Sequence, residues 1–293
     1  MNITEHDRAP MNQGTPSDTD TEGDTAPSRG GRDLGRAVLV GVLLAAVACG
    51  ALITGPLAFA VLAAVGAAAA TNELGRRLRQ SGLRVALLPV YLGTQLMVWA
   101  GWYFGEGALV RVTAVAVLIC LAWHLAHGTA GYLRNAAASV LLLGYLALPT
   151  CCAVLLVRES HGTLLVLAVI ACVVATDTAG YVTGSLLGRH PMAPAISPRK
   201  SWEGLAGSLS AAAAIGMAAL GRVVQAPWWQ GALFGGLIAV AAVGGDLVES
   251  AVKRDLGIKD MSALLPGHGG LMDRLDSILP AMVAAWAVLG LAR

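Results

Sequence analysis

Charge is what this 293-residue chain has least of: 13% of its residues are Asp, Glu, Lys or Arg, against roughly a quarter in soluble domains. So few charges cannot cover a water-facing surface, which excludes the pair of soluble domains that length alone would suggest. The formal net charge of +2 comes with no long basic face, and this excludes nucleic acid as a partner. The five cysteines, Cys49, Cys120, Cys151, Cys152 and Cys172, form no CxxC pair and have no histidines at metal-ligand spacing. They are expected to be small buried hydrophobes. Apolar periodicity is missing from residues 1–35, a stretch rich in Thr, Asp, Gly, Pro and Ser. Such a stretch buries too little surface to offset its ordering entropy, so a disordered polar tail is expected there. The first apolar run starts near Ala37, after a lead too long for a cleavable signal, and is expected to be a retained helix.

What is abundant is apolar. Hydrophobic residues make up 56% of the chain and mean hydropathy is +0.67, so residues 36–293 are expected to form one membrane domain. A helix needs about 20 apolar residues to cross the hydrocarbon core, because its backbone must satisfy its own hydrogen bonds there. Runs of that kind lie near 37–54, 55–70, 84–102, 107–124, 136–157, 163–187, 204–220, 230–250 and 277–292. The fold class is therefore an all-α polytopic membrane protein of about nine transmembrane helices. The first two runs are separated only by Thr54, Gly55 and Pro56, leaving a tight hairpin or one long broken helix as alternatives.

Basic residues test the orientation, since cytoplasmic loops are enriched in Lys and Arg. With the N-terminus inside, one set of alternate loops holds Arg76, Arg77, Arg79, Arg84, Arg134, Arg189, Arg199, Lys200, Lys253, Arg254, Lys259 and Arg274. The opposite set holds Arg111, Arg158 and Arg222. This asymmetry places the N-terminus and the polar motif-bearing loops in the cytoplasm, so the active site is expected to face it.

Three polar stretches fall at that end. Asp177 to Tyr181 lies within the sixth run, where a carboxylate is costly in lipid unless it has a purpose; Gly180, Gly184 and Gly188 recur every fourth residue and allow close helix approach. The bland alternative is a packing helix with one stray acid. Ser197 to Gly204 is a basic loop leading into the seventh run. Its cations suit phosphate, although interfacial anchoring by Trp202 with Ser201 as an N-cap explains it equally well. The third stretch is the most informative. Asp246, Glu249, Ser250 and Lys253 share a helix face, and Asp273 and Asp276 lie one turn apart. Carboxylate oxygens suit Mg²⁺, which keeps several waters and is shared with substrate phosphates. The Pro266–Gly270 turn, Pro-Gly-His-Gly-Gly, exposes backbone N–H groups on which a phosphate can sit. His124 and His127, at i and i+3, have no third ligand nearby and are not expected to bind metal.

At these residues the chain resembles the phosphatidate cytidylyltransferase (CDP-diacylglycerol synthase) family, whose signature runs Ser-x-x-Lys-Arg-x4-Lys-Asp and then Pro-Gly-His-Gly-Gly-x-x-Asp-Arg-x-Asp. Ser250, Lys253, Arg254, Lys259, Asp260, Pro266 to Gly270, Asp273, Arg274 and Asp276 occupy every fixed position. The resemblance covers residues 170–280 well and the N-terminal half only in hydropathy. Gly180 stands where Ala is usual before Tyr181, and Ser201 where Thr is common after Lys200.

The resemblance implies CTP and phosphatidic acid as substrates, in phospholipid biosynthesis, at a multi-pass site in the plasma membrane. It implies catalytic roles for Asp246, Lys253, Arg254, Lys259, Asp260, His268, Asp273, Arg274 and Asp276. Substrate contacts are expected from Asp177, Tyr181, Ser197, Lys200, Ser201, Glu203, Ser250, Gly267, Gly269 and Gly270. Mg²⁺ is expected on Asp246, Asp273 and Asp276, with Asp177 a weaker candidate; a second cation and a homodimer are left open. His268 suits either proton transfer or a phosphate hydrogen bond. The alternatives are a CTP-dependent transferase for another lipid phosphate, such as an isoprenoid-ether phospholipid, and a polytopic transporter, for which no repeated halves are evident.

Overall fold

The computed structural model describes residues 30–262 and 269–291, with side chains from Gly41 onward. Helices dominate it: α1 (Gly30–Thr54), α2 (Pro56–Gln80), α3 (Leu87–Phe104), α4 (Glu106–Ala126), α5 (Tyr132–Leu142), α6 (Leu148–Val157), α7 (Gly162–Leu187), α8 (Trp202–Val223), α9 (Trp228–Asp255), α10 (Met272–Leu275) and α11 (Ile278–Leu291). A π-helical segment, Leu143–Ala147, joins α5 to α6. Pro149 follows it at the start of α6 and has no N–H to continue an α-helical ladder, which gives the widened turn a local cause.

Among the described residues, seven helical segments are long and apolar enough to cross a membrane: Pro56–Gln80, Glu106–Ala126, Tyr132–Val157, Gly162–Leu187, Trp202–Val223, Trp228–Asp255 and Met272–Leu291. The other two of the nine expected runs are also helices. The described apolar part of α1, Gly41–Thr54, is short, and α3 is 18 residues diluted by polar and amphipathic side chains such as Thr94 and Gln95. The chain breaks between α1 and α2 at Gly55, whose φ of 139° is open to glycine and strained for other residues. That settles the first two runs as separate helices. α1 begins at Gly30, ahead of the expected start near Ala37; the expected disordered tail otherwise lies outside the described residues.

Lipid tails give apolar side chains little reason to leave them, so helices in a membrane associate through close packing of small residues and through hydrogen bonds. The pairs that frame the site follow that rule. A Cβ on Gly235 of α9 would overlap the Ala212 carbonyl of α8, and one on Gly216 of α8 would overlap the Gly231 carbonyl of α9. The repeat Gly180, Gly184 and Gly188 lies against Ser201, Gly204 and Ser208 at the start of α8, so its spacing serves helix approach as expected. Buried side chains gather in two main groups, one spanning α7, α8, α9 and α11 and the other α2 to α6 with Met261 and Met272.

The all-helical expectation omits one feature. Between α7 and α8 the chain makes an antiparallel pair of short strands, β1 (Pro191–Ala193) and β2 (Ser197–Ser201), with Pro191 opposite Ser201 and Ala193 opposite Ser197. Pro191, Pro194 and Pro198 favour a loop on sequence grounds; a two-stranded ribbon with free outer edges tolerates them. The cysteines behave largely as expected: Cys120, Cys151, Cys152 and Cys172 are buried and Cys49 is exposed, all as free thiols.

Candidate active site

Where the C-terminal ends of α7 and α9 meet the N-terminal ends of α8 and α11, they enclose a cavity of about 510 Å³. The helical spacing read from the sequence explains what α9 contributes. Asp246 and Ser250 lie one turn apart, and the Ser250 hydroxyl donates to Asp246 Oδ1 at 3.3 Å. Asp246 Oδ2 is also 2.7 Å from Lys200 Nζ of β2, while the same ammonium donates to the Val243 carbonyl at 3.2 Å. One turn further along α9, Lys253 Nζ donates to Glu249 Oε2 and Asp273 Oδ1, both at 2.7 Å. Glu249 is fully buried, so this ammonium offsets negative charge that water cannot reach.

Asp273 is engaged on both oxygens. Oδ1 takes the Lys253 bond and Oδ2 accepts from the Gly270 and Met261 N–H groups, at 2.6 and 3.1 Å. Asp276 follows one turn later. Its Oδ1 accepts from the Ser277 N–H at 2.7 Å, and its carboxyl lies near enough to Glu249 for the two to interact electrostatically. Asp177, Asp246 and Asp276 face the cavity together and repel one another. Tyr145, in the π-helical segment, supports this corner from behind by donating to the Gly245 carbonyl at 3.1 Å. A Cβ on Gly245 would overlap the Asp276 carbonyl, so glycine there lets α9 and the start of α11 touch.

The cavity brings together Asp177, Tyr181, Ser197, Lys200, Ser201, Asp246, Lys253, Asp260, Asp273, Arg274 and Asp276 from the expected set. It also takes in Arg199, which the sequence reading used only for orientation. Others sit apart. Glu203 turns to the strand pair, accepting from His190 Nδ1 at 2.6 Å and from the Arg189 and His190 N–H groups. Ser201, although it lines the cavity, spends its hydroxyl as the N-cap of α8, accepting from the Gly204 N–H at 3.1 Å. Arg254 donates to the Ile196 carbonyl at 3.4 Å, and Lys259 is exposed. Gly269 and Gly270 border the segment behind Asp273 rather than the cavity, while Gly267 and His268 lie outside the described residues. His124 and His127 are committed elsewhere, to Ser139 Oγ at 2.9 Å and the Trp123 carbonyl at 2.6 Å.

One residue at the back of the site escaped the sequence reading. Glu73, near the end of α2 and 8% exposed, accepts from the Leu271 and Met272 N–H groups at 2.9 and 3.3 Å. The expected second span ended near residue 70, but α2 runs on to Gln80 and carries Glu73 into this contact. The only sequence signal was one acid ahead of Arg76, Arg77 and Arg79, which reads as an ordinary helix end.

As to metal, no three His, Cys, Asp or Glu side chains converge closely enough to bind an ion by themselves among the described residues. Mg²⁺ needs fewer, since it commonly takes one or two carboxylates and completes its shell with water and substrate phosphate. Asp246 and Asp276 line the cavity and fit that requirement; Asp273 lines it too but accepts three bonds from the protein against two for Asp246, and fits it less well.

Comparison with known proteins agrees with this chemistry. The profile of the cytidylyltransferase family matches residues 35–292. A phosphatidate cytidylyltransferase of Mycobacterium bovis is 41% identical over 280 residues, covering 91% of this chain and 92% of the relative. That of Mycobacterium leprae is 41% identical over 280 residues, covering 90% and 89%. A Brucella suis phosphatidate cytidylyltransferase is 35% identical over 180 residues, covering 60% and 64%.

Proposed function

Since the chain belongs to the cytidylyltransferase family, we infer that it joins CTP to phosphatidic acid, giving CDP-diacylglycerol and pyrophosphate. It is a membrane nucleotidyltransferase of phospholipid synthesis. The observation that carries the assignment to this cavity is the meeting of three acids, Asp177, Asp246 and Asp276, with Lys200, Lys253 and Arg274 in one space of about 510 Å³.

In the reaction an oxygen of the lipid phosphate attacks the α-phosphorus of CTP. The bond from that phosphorus to the bridging oxygen of the β-phosphate breaks, and pyrophosphate leaves with the electron pair. The nucleophile is already an anion, so no strong base is required. The protein must instead hold two repelling anions in line and neutralise charge on the leaving group. Lys200, Lys253, Arg199 and Arg274 line the cavity and supply that positive charge. Lys200 and Lys253 are preorganised for it by Asp246, Glu249 and Asp273. Asp246 and Asp276 would hold Mg²⁺, which when bound draws charge from the phosphate oxygens and clamps the anions.

Tyr181 lines the cavity while 78% exposed, with Leu186 and Leu187 exposed further along α7. This apolar flank suits acyl chains reaching the site from the bilayer. The basic loops support a cytoplasmic orientation for this end of the bundle, where CTP is made, and the bacterial relatives support plasma-membrane residence.

The acceptor is tested by offering purified protein CTP labelled in cytidine, with phosphatidic acid and an isoprenoid-ether lipid phosphate in competition. Labelled CDP-diacylglycerol is expected, with the ether lipid competing at least about tenfold less well, one to two kcal/mol of discrimination being what a hydrophobic pocket supplies. Preferential labelling of the ether lipid favours the alternative transferase. Solute flux across proteoliposomes without CTP consumption favours transport.

A further inference from the structure

We propose that Glu73 and Arg77 of α2 form a positioning clamp that sets the segment carrying Asp273, Arg274 and Asp276 against α9. The proposal rests on the cytidylyltransferase reading of the cavity. Residues 73 and 77 are one helical turn apart and share a face of α2. The Glu73 carboxylate accepts from the N–H groups of Leu271 and Met272. Arg77 Nε donates to the Met261 carbonyl. One turn of α2 thus holds Met261 through Arg77 and Leu271 and Met272 through Glu73. The two sides are also tied to each other through Asp273 Oδ2, which accepts from the Met261 and Gly270 N–H groups.

The contact is built closely. A Cβ at Gly270 would overlap Glu73 Oε1, so the backbone of the motif lies directly on the carboxylate. A buried carboxylate is costly unless it is hydrogen-bonded, and bonds from N–H to a charged acceptor are stronger than neutral ones.

The need for such a clamp follows from how the site is assembled. Asp177 and Asp246 are placed by the long helices α7 and α9, and Lys200 by β2 at the entry to α8, which packs on both helices through glycine contacts. Asp273 and Asp276 come after a connecting segment; Lys253 ties Asp273 to α9, and the close approach at Gly245 seats Asp276 against it. No residue of α2 lines the cavity, so Glu73 acts through the segment and not on substrate. A misplacement near 1 Å in a catalytic array can cost about 10²-fold in rate.

The test compares wild type, Glu73→Ala, Glu73→Gln and Arg77→Ala as full-length proteins in phosphatidic-acid nanodiscs. It reads kcat, KM for CTP, melting temperature, and hydrogen exchange of the peptide covering 269–276. Glu73→Ala is expected to lower kcat by about 10- to 100-fold, with KM changing less and exchange in that peptide accelerating. Glu73→Gln keeps an acceptor oxygen and is expected to recover most of the rate and protection. Wild-type kcat together with wild-type exchange in Glu73→Ala overturns the clamp, as does equal loss in Ala and Gln with unchanged exchange. If Glu73→Ala does not fold, Glu73→Gln and Arg77→Ala decide it: local acceleration of exchange in either upholds the clamp, and unchanged protection in both overturns it. If wild type makes no CDP-lipid, the functional reading fails, while the exchange measurements still decide the clamp.

Discussion

Asp246→Ala is expected to lower turnover by about 10²–10³-fold, the usual cost of removing one preorganised electrostatic group from a reacting centre, and Asp276→Ala to match it. The two carboxylates reach the cavity from different helices yet face the same space. In Asp246→Ala the damage is double, because Lys200 loses the partner 2.7 Å away that aims its ammonium into the cavity. Steady-state rates in purified protein check this, with melting temperature showing that the variants remain folded. The effect should persist at saturating CTP, since the loss is of transition-state stabilisation and not of uniform binding. If both acids hold Mg²⁺, each variant also needs more Mg²⁺ for half-maximal rate, whereas Asp273→Asn, altered at a carboxylate already held by Lys253 and two backbone N–H groups, shows a smaller shift. Equal shifts in all three would return Asp273 to the metal site.

Lys253→Met should damage both stability and rate. Its ammonium is the common partner of Glu249, which is fully buried, and Asp273, whose side chain is 7% exposed. Removing one member of a buried ion pair typically costs about 3–5 kcal/mol, because the remaining charge is left uncompensated. Unfolding in a denaturing-detergent titration should shift accordingly, and adding Glu249→Gln should restore part of the loss by removing one stranded charge. That coupling is the diagnostic part, since independent sites give additive effects. Full stability in Lys253→Met would mean that the ammonium serves substrate alone.

Much of this site was legible in the sequence because helical periodicity does the work. Asp246, Glu249, Ser250 and Lys253 fall on one face of any helix that contains them, and the structure keeps them there along α9. Asp273 and Asp276 were likewise one turn apart, but spacing could not show that Asp273 spends both oxygens on Lys253 and two backbone N–H groups. That depends on where Met261 and Gly270 lie in space. Ser201 illustrates an ambiguity of a different kind, since one hydroxyl can cap a helix or touch a ligand, and the structure uses it as a cap while leaving the residue at the cavity edge.

Glu203 was expected at the substrate because the family resemblance takes in the loop that carries it, yet the strand pair brings His190 within 2.6 Å of it. The sequence reading took Ser197 to Gly204 as a basic loop and did not foresee the strand pair. Glu73 was the least accessible to sequence reasoning. Its partners lie almost two hundred positions away, and an acid at the end of an apolar helix is unremarkable until its neighbours are known. The spans themselves were read from hydropathy, which locates apolar runs well but misjudges where a helix continues into polar sequence, as α2 does to Gln80.

The most direct measurement places the label on the phosphorus atoms. Purified protein in phosphatidic-acid nanodiscs is given CTP labelled at the α-phosphorus in one reaction and at the γ-phosphorus in another. Attack at the α-phosphorus predicts that the lipid product carries the α label, and that the γ label leaves entirely as pyrophosphate in equal amount. Transfer of the γ label to the lipid would contradict the account, because the cavity would then be that of a CTP-dependent lipid kinase.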